Sequence, residues 1–110
     1  MLPESQSAVV VRNEIWSGVA ATEPYEAGWA REAIIFVRAL KANGLAGVAQ
    51  VELSPDGMNW APEGTTFPLP SDGNKVTYAR VAQFGNWLRI RADVPQGSSV
   101  TVVVTIHVKA

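Results

Sequence analysis

The stretch that decides the fold is Val48–Trp60, VAQVELSPDGMNW. Apolar and polar side chains alternate over its first six residues, which is the period of two expected of a strand. Pro55 then presets φ near about −65°, Asp56 suits the second central position of a turn, and Gly57 accepts a positive φ. The pattern predicts a three-residue hairpin loop with a bulge, after which Trp60 anchors the returning strand beneath the hairpin.

Other segments show the same alternation. Val100–Val108 is the clearest of them, because every second residue is aliphatic and would form a core face. Trp87–Asp93 alternates as well, with Leu88, Ile90 and Ala92 facing inward. Pro62–Gly64 carries turn-forming residues and predicts a further turn.

The segment Trp29–Ala42, WAREAIIFVRALKA, fits two periods. A period of 3.6 places Trp29 and Phe36 on one face of a helix. A period of two instead groups Ile34, Phe36 and Arg38 on one side of a strand. Ile34–Val37 favours the strand, because β-branched side chains are restricted in helices. The strand is therefore the prediction, and the helix is the alternative.

Seven or eight short strands separated by turn signals in about 110 residues predict an all-β fold. We expect an antiparallel two-sheet β-sandwich, jelly-roll-like in its connections. Residues 1–110 are expected to form a single β-sandwich domain, with residues 1–7 as a flexible N-terminal lead.

Composition excludes several classes of function. The net charge is −1, without the basic excess typical of nucleic-acid binding, and the chain has no cysteine for a disulfide framework or thiolate metal site. Its start lacks the features of a signal peptide, and no apolar run is long enough for a transmembrane helix. We therefore expect cytoplasmic synthesis and neither a nucleic-acid nor a membrane partner.

Few residues are candidates for catalysis or metal binding. His107 is the only histidine, and a triad would require it to meet Ser98 or Ser99 with an acid such as Asp93. Turn formation explains Asp56 better than catalysis does. The loop Asp72–Asn74 is the best candidate for calcium, but turn formation explains it too. We predict no catalytic residue, no metal site, no cofactor and no enzyme activity.

The outward row Trp87, Arg89 and Arg91 is the leading candidate for a binding surface. An indole can stack on a partner or a sugar ring, and guanidinium groups bind carboxylates. The alternative is an ordinary sheet exterior, in which the arginine stems lie along Trp87 and pair with glutamates on a neighbouring strand. Val103 faces outward among threonines, which indicates that its face of the sheet is covered by a partner.

Three motifs carry a family resemblance: Ser54–Trp60 (SPDGMNW), Trp87–Arg91 (WLRIR) and the terminal Val/Thr-rich strand Val100–Val108. Together they resemble the small β-sandwich modules of tailed-phage and prophage structural proteins, which often carry an SxDGxNW hairpin. The likeness covers about Ile34–Val108. It implies a virion-surface, capsid-decorating or tail-associated role, commonly as a homo-oligomer.

These observations predict a non-catalytic structural module that associates with itself, a trimer being one candidate, and docks on a larger protein assembly such as a virion surface. Because a DGxxW hairpin also occurs in sugar-binding jelly-roll modules, the alternative is a carbohydrate-binding module that stacks glycans on an exposed tryptophan.

Overall fold

Residues 5–110 of the chain are described by a computed structural model, and all the regular elements among them are strands. No helix long and apolar enough to cross a membrane occurs in this part of the chain. The strands are β1 (Ser5–Trp16), β2 (Gly18–Ala21), β3 (Tyr25–Glu26), β4 (Glu32–Asn43), β5 (Val48–Ser54), β6 (Ala61–Pro68), β7 (Val76–Ala82), β8 (Trp87–Val94) and β9 (Ser99–Lys109).

The strands form two antiparallel sheets that pack face to face. One has the order β1-β9-β4-β7, and the other has the order β2-β8-β5-β6, with β3 also paired to β8. If β2 and β3 are counted as one interrupted strand, this is the eight-stranded order of a jelly roll. The predicted all-β sandwich is therefore confirmed, and its connections are those of the jelly roll that was expected.

The terminal strand β9 lies inside its sheet, between β1 and β4. Its five alternating aliphatic residues, predicted as a core face, are all at most 4% exposed (Val100, Val102, Val104, Ile106, Val108). In the opposite sheet, Leu88, Ile90 and Ala92 of β8 point into the same core and are fully buried, as predicted. Burial of both rows fixes the register of the two central strands, because a shift by one residue would expose them.

The ambiguous segment is strand β4, as the β-branched run predicted. Its inward residues are Ala33, Ile35, Val37 and Ala39, each at most 1% exposed. It pairs with β9 on one side and with β7 on the other. A helix could not make both ladders, because a helix satisfies its backbone hydrogen bonds internally.

Three local expectations need correction. The predicted lead of residues 1–7 overlaps β1, in which Ser5 already pairs with Lys109; residues 1–4 lie outside the described residues. The turn expected at Pro62–Gly64 is instead a bulge within β6, where the register shifts and Gly64 takes φ 114°. Finally, six residues, 55–60, rather than three join β5 to β6, and Leu53↔Ala61 is the last pair of the two strands.

Candidate interaction surfaces

The jelly roll is a flat slab, with Cα extents of 47 × 29 × 19 Å. Its two broad surfaces are the outward sides of the two sheets, which we name after their central strands. The β8 face is built from the outward residues of β8, β5 and β6 together with the β5–β6 loop. The β9 face is built from the outward residues of β1, β9, β4 and β7. The two faces differ in chemistry.

The predicted row of Trp87, Arg89 and Arg91 lies on the β8 face, and each of these side chains is half-buried. The alternation of β8 explains this position, because the intervening residues fill the core. Arg89 stands directly opposite Glu52 of β5, and its Nε donates a hydrogen bond to Glu52 Oε1 at 2.7 Å. Glu52 is only 7% exposed, so this ion pair is largely shielded from solvent.

Trp60 packs against the Arg89 guanidinium of this ion pair. The guanidinium carbon of Arg89 lies 4.3 Å from the centroid of the Trp60 ring, a cation–π geometry. Trp60 is half-buried and lies outside the core, which differs from the expectation that it fills the core beneath the hairpin. The pairing of Arg89 with Glu52 on the neighbouring strand is what the alternative of an ordinary sheet exterior predicted. The indole that packs on Arg89 is, however, that of Trp60 and not that of Trp87.

The β5–β6 loop lies against Trp87. Gly57 has φ 78°, and a Cβ added there would lie 3.3 Å from Cδ2 of the Trp87 indole. The loop is held internally by Ser54, whose Oγ accepts the backbone N–H of Gly57 at 2.8 Å. Trp87 and Trp60 both therefore have intramolecular partners, and a ligand would find only part of each indole free.

Asp56 organises the same loop through its carboxylate. Oδ1 accepts the backbone N–H groups of Asn59 at 2.8 Å and Met58 at 2.9 Å, while Oδ2 accepts from the Asn59 side chain at 2.7 Å. These donors, the backbone N–H of Asn59 first, hold the pKa of Asp56 well below its ordinary value. The predicted positive φ at Gly57 is confirmed, and Asp56 stabilises the loop as its ionised form.

Arg91 has no salt bridge within residues 5–110. It borders a shallow hollow at the far end of the β8 face, which is lined by Val48, Gln50, Thr66, Arg91, Ala92 and Asp93. Asp93 and Arg91 alternate along the same strand, so both charges border the hollow. The structure thus brings Trp60 to Arg89 and the loop to Trp87, but it leaves Arg91 apart. A role for this row in an interface stays a prediction.

Val103 lies on the opposite side of the molecule, on the β9 face. Its β4 partner in register is Arg38, which in turn pairs with Val76 of β7. Large apolar side chains dominate the centre of this face, and they are Val9, Ile34, Phe36, Val76, Tyr78 and Val103. Val76 is 51% exposed, Tyr78 49% and Val9 44%. The predicted site residues are therefore divided between two faces and do not form one site.

Charged groups of the β9 face are engaged within the chain. The Arg80 guanidinium lies 5.1 Å from the centroid of the Tyr78 ring. Arg38 Nη2 donates to the side-chain oxygen of Asn74 at 3.3 Å. Glu32 stands in register with Lys109 at one end of the sheet. The apolar centre is thus bordered by charges that already have neighbours of their own.

Sequence reasoning missed most of the apolar β9 face. The period-two reading grouped Ile34 and Phe36 with Arg38, but both sides of β4 carry large apolar residues, so the pattern does not say which side is outward. The available signal was Arg38, because the side of a strand that carries an arginine is expected to face solvent. The same reasoning applies to Val76 and Tyr78, which alternate in phase with Arg80.

The candidate catalytic and metal residues do not converge. His107 and Ser99 lie on the same strand, eight residues or about 26 Å apart. The Nδ1 atom of His107 instead contacts the Ser7 hydroxyl across the β1–β9 ladder. Asp72 has Lys75 Nζ at 3.9 Å, and no group of three metal-ligating His, Cys, Asp or Glu side chains occurs between residues 5 and 110. The absence of enzyme activity stays a prediction.

No family model and no curated protein matches this sequence. Two solved structures share its fold. The crystal structure of the SPBc2 prophage-derived protein YomS matches the whole chain with a TM-score of 0.67 and 12% identity, over 96% of that protein. A chain in the structure of infectious bursal disease virus, Gx strain, matches 97% of this chain with a TM-score of 0.58 and 9% identity. This chain spans about a third of that viral chain, covering 32% of it.

Proposed function

We propose that this chain is a non-catalytic structural and assembly module, which associates with itself and docks on a larger protein assembly such as a virion surface. The observation that carries the proposal is the apolar centre of the β9 face, where Val76, Tyr78 and Val9 are each between 44% and 51% exposed. A contiguous apolar patch on a sheet is a signature of a surface that a partner covers.

Two further observations support the proposal. The fold is shared with a prophage-derived protein over nearly the full length of both chains and with part of a viral chain, in keeping with the phage-like resemblance of the Ser54–Trp60 hairpin. In addition, the Trp60–Arg89–Glu52 cluster forms a stiff, polar β8 face on the other side of the slab. Such a face can dock on a second protein while the apolar face is occupied.

The test of self-association is the solution mass measured by light scattering over a concentration series. The expected result is a fixed multiple of the 11.8 kDa chain mass, with little change between low and high salt because the contact is apolar. A monomer at every concentration up to several hundred micromolar would remove the main support for the proposal.

The alternative is a carbohydrate-binding module. One observation favours it: Trp29, in the connection before β4, is 41% exposed and makes no recorded aromatic or cation–π contact within the described chain. Exposed indoles stack on sugar rings. Tryptophan fluorescence during titration with a panel of oligosaccharides tests this function. Saturable quenching in the wild type, absent from Trp29→Ala, would favour glycan binding over assembly.

A further inference from the structure

We propose that the β9 face binds the same face of a second copy of this chain, and that the product is a closed two-fold dimer. The inference rests on the proposed self-association and adds the surface and the symmetry to it. It is carried by the apolar centre and the area of the β9 face, and by the symmetry of a contact between like surfaces.

The apolar centre is continuous across the sheet. In register, Phe36 of β4 lies between Tyr78 of β7 and Thr105 of β9, which pairs on its other side with Val9 of β1. The rings of Phe36 and Tyr78 are 6.0 Å apart and tilted by 41°. This row crosses all four strands without a charge. The β8 face has no such row, because Glu52 and Arg89 occupy its centre.

The area of the β9 face matches what a specific dimer needs. Four strands spaced about 4.8 Å apart and on average roughly 30 Å long present about 600 Å² per copy. Two copies packed face to face would therefore bury on the order of 1,200 Å², which exceeds the roughly 1,000 Å² of a specific protein interface. Sheets stack in this way at about 10 Å, with interdigitated side chains.

The shape of the molecule and the symmetry of the contact fix the number of copies. The slab is 19 Å thick but 47 × 29 Å across, so one broad face is covered completely by one other broad face. A contact that uses the same patch on both copies is isologous and closes at two. A trimer would need two different patches on each copy, and the apolar character belongs to one face.

A two-fold contact sets a condition on the charges of the β9 face. In a two-fold contact, groups near the axis meet their own equivalents, so like charges there would repel. The central row of Phe36, Tyr78 and Thr105 carries none. Arg80, which lies over Tyr78, and Arg38, which donates to the Asn74 side chain, lie on either side of this row.

A matched pair of variants tests the proposal. Val76 and Val48 are both the first residue of a strand, and they are 51% and 53% exposed, but Val76 lies on the β9 face and Val48 on the β8 face. We expect Val76→Lys to raise the dimer dissociation constant at least tenfold in light scattering, and Val48→Lys to leave it unchanged. Val103→Lys, nearer the centre of the face, is expected to have a larger effect than Val76→Lys.

A second measurement does not depend on a destabilised variant. The chain has no cysteine, so Thr105→Cys places a single thiol at the centre of the β9 face, and Thr66→Cys does the same on the β8 face. A short bismaleimide is expected to cross-link Thr105→Cys into covalent dimers and to leave Thr66→Cys monomeric. Circular dichroism confirms that each variant is folded.

The outcomes separate this inference from the proposed function. A wild-type dimer that Val76→Lys and Val103→Lys dissociate supports both. An oligomer that these variants leave intact, or one with three subunits, overturns the two-fold β9-face contact while self-association stands. A wild type that remains monomeric, together with a Thr105→Cys variant that is not cross-linked, overturns both, and a different protein would then be the partner of the β9 face.

Discussion

Arg89 lies on the ring of Trp60, with its guanidinium carbon 4.3 Å from the ring centroid, and this contact joins strand β8 to the end of the β5–β6 loop. The same guanidinium donates from Nε to Glu52. One arginine thus satisfies a shielded carboxylate and holds the tryptophan that follows the loop. Its effect on stability should exceed that of an ordinary surface arginine.

Substitution of Arg89 by Met is expected to lower the free energy of unfolding by about 2–3 kcal/mol, because the Glu52 carboxyl would lose its partner at a shielded position. Urea denaturation measures the change. Arg91→Met is the matched control, since Arg91 lies on the same strand and face without a recorded salt bridge in the described chain, and a change below about 0.5 kcal/mol is expected there.

The double variant Glu52→Met/Arg89→Met provides the second half of that experiment. Removing both charges leaves no unpaired carboxylate, so the double variant should be more stable than Arg89→Met alone. If Arg89→Met were no more destabilising than Arg91→Met, the shielded ion pair would contribute nothing measurable.

Gly57→Ala is expected to destabilise the chain more than Gly97→Ala. Both glycines have a positive φ, 78° and 82°, so both substitutions carry a backbone cost of about 1 kcal/mol. Only at Gly57 would the new Cβ meet a side chain, the Trp87 indole at 3.3 Å, whereas nothing lies within 4 Å at Gly97. The difference between the two unfolding free energies isolates the contact with Trp87, and equal losses would show that the indole moves aside freely.

Asp56 should give the hairpin loop a defined response to acid. Because its folded-state pKa is depressed, the ionised carboxylate contributes stability that is fully present above the unfolded-state pKa, about 3.9, and is lost as the pH falls toward the lower folded-state pKa. The difference in urea midpoint between wild type and Asp56→Asn should therefore be constant from pH 7 to pH 5 and shrink below about pH 4. A difference that persists unchanged at pH 2 would assign the effect to geometry rather than charge.

Thr77→Val is expected to stabilise the protein. Thr77 Oγ1 is buried and has no hydrogen-bond partner among residues 5–110. An unsatisfied buried hydroxyl costs roughly 1 kcal/mol, and valine has nearly the same shape. Thermal unfolding should show a higher Tm for Thr77→Val than for the wild type. Thr66→Val, on the outward side of β6, is the control and should change little; a loss of stability at position 77 would mean that the hydroxyl is hydrated.

Alternation alone was enough to predict the strands whose two sides differ clearly. β9 is the best case, since aliphatic residues fill one side and mostly polar residues the other. In β4 both sides are apolar, so the apolar pattern alone did not show the outward side, which Arg38 marks. The bulge at Gly64 was mistaken for a turn, because glycine with a positive φ serves both structures.

The location of Trp60 could not be predicted for a different reason. It depends on contact with a residue of β8, about thirty positions further along the chain, and on a loop longer than its turn signal indicated. An alternation pattern describes one strand at a time. The candidate surfaces consist of residues from several strands, which the pairing of those strands brings side by side. The phage-like role and the identity of any partner therefore remain proposals that the variants above test.

The position of β9 also bears on how the chain acquires its fold. β1 and β4 share no ladder, and each pairs with β9, which is the final strand of the sequence. During synthesis β1 must therefore wait, without its partner, until β9 has left the ribosome. Its run Val9–Val11 stays accessible to other nascent chains throughout that interval. The first sheet is completed only when β9 pairs with β1 and β4, and a chain that stops before β9 would leave β1 without its ladder.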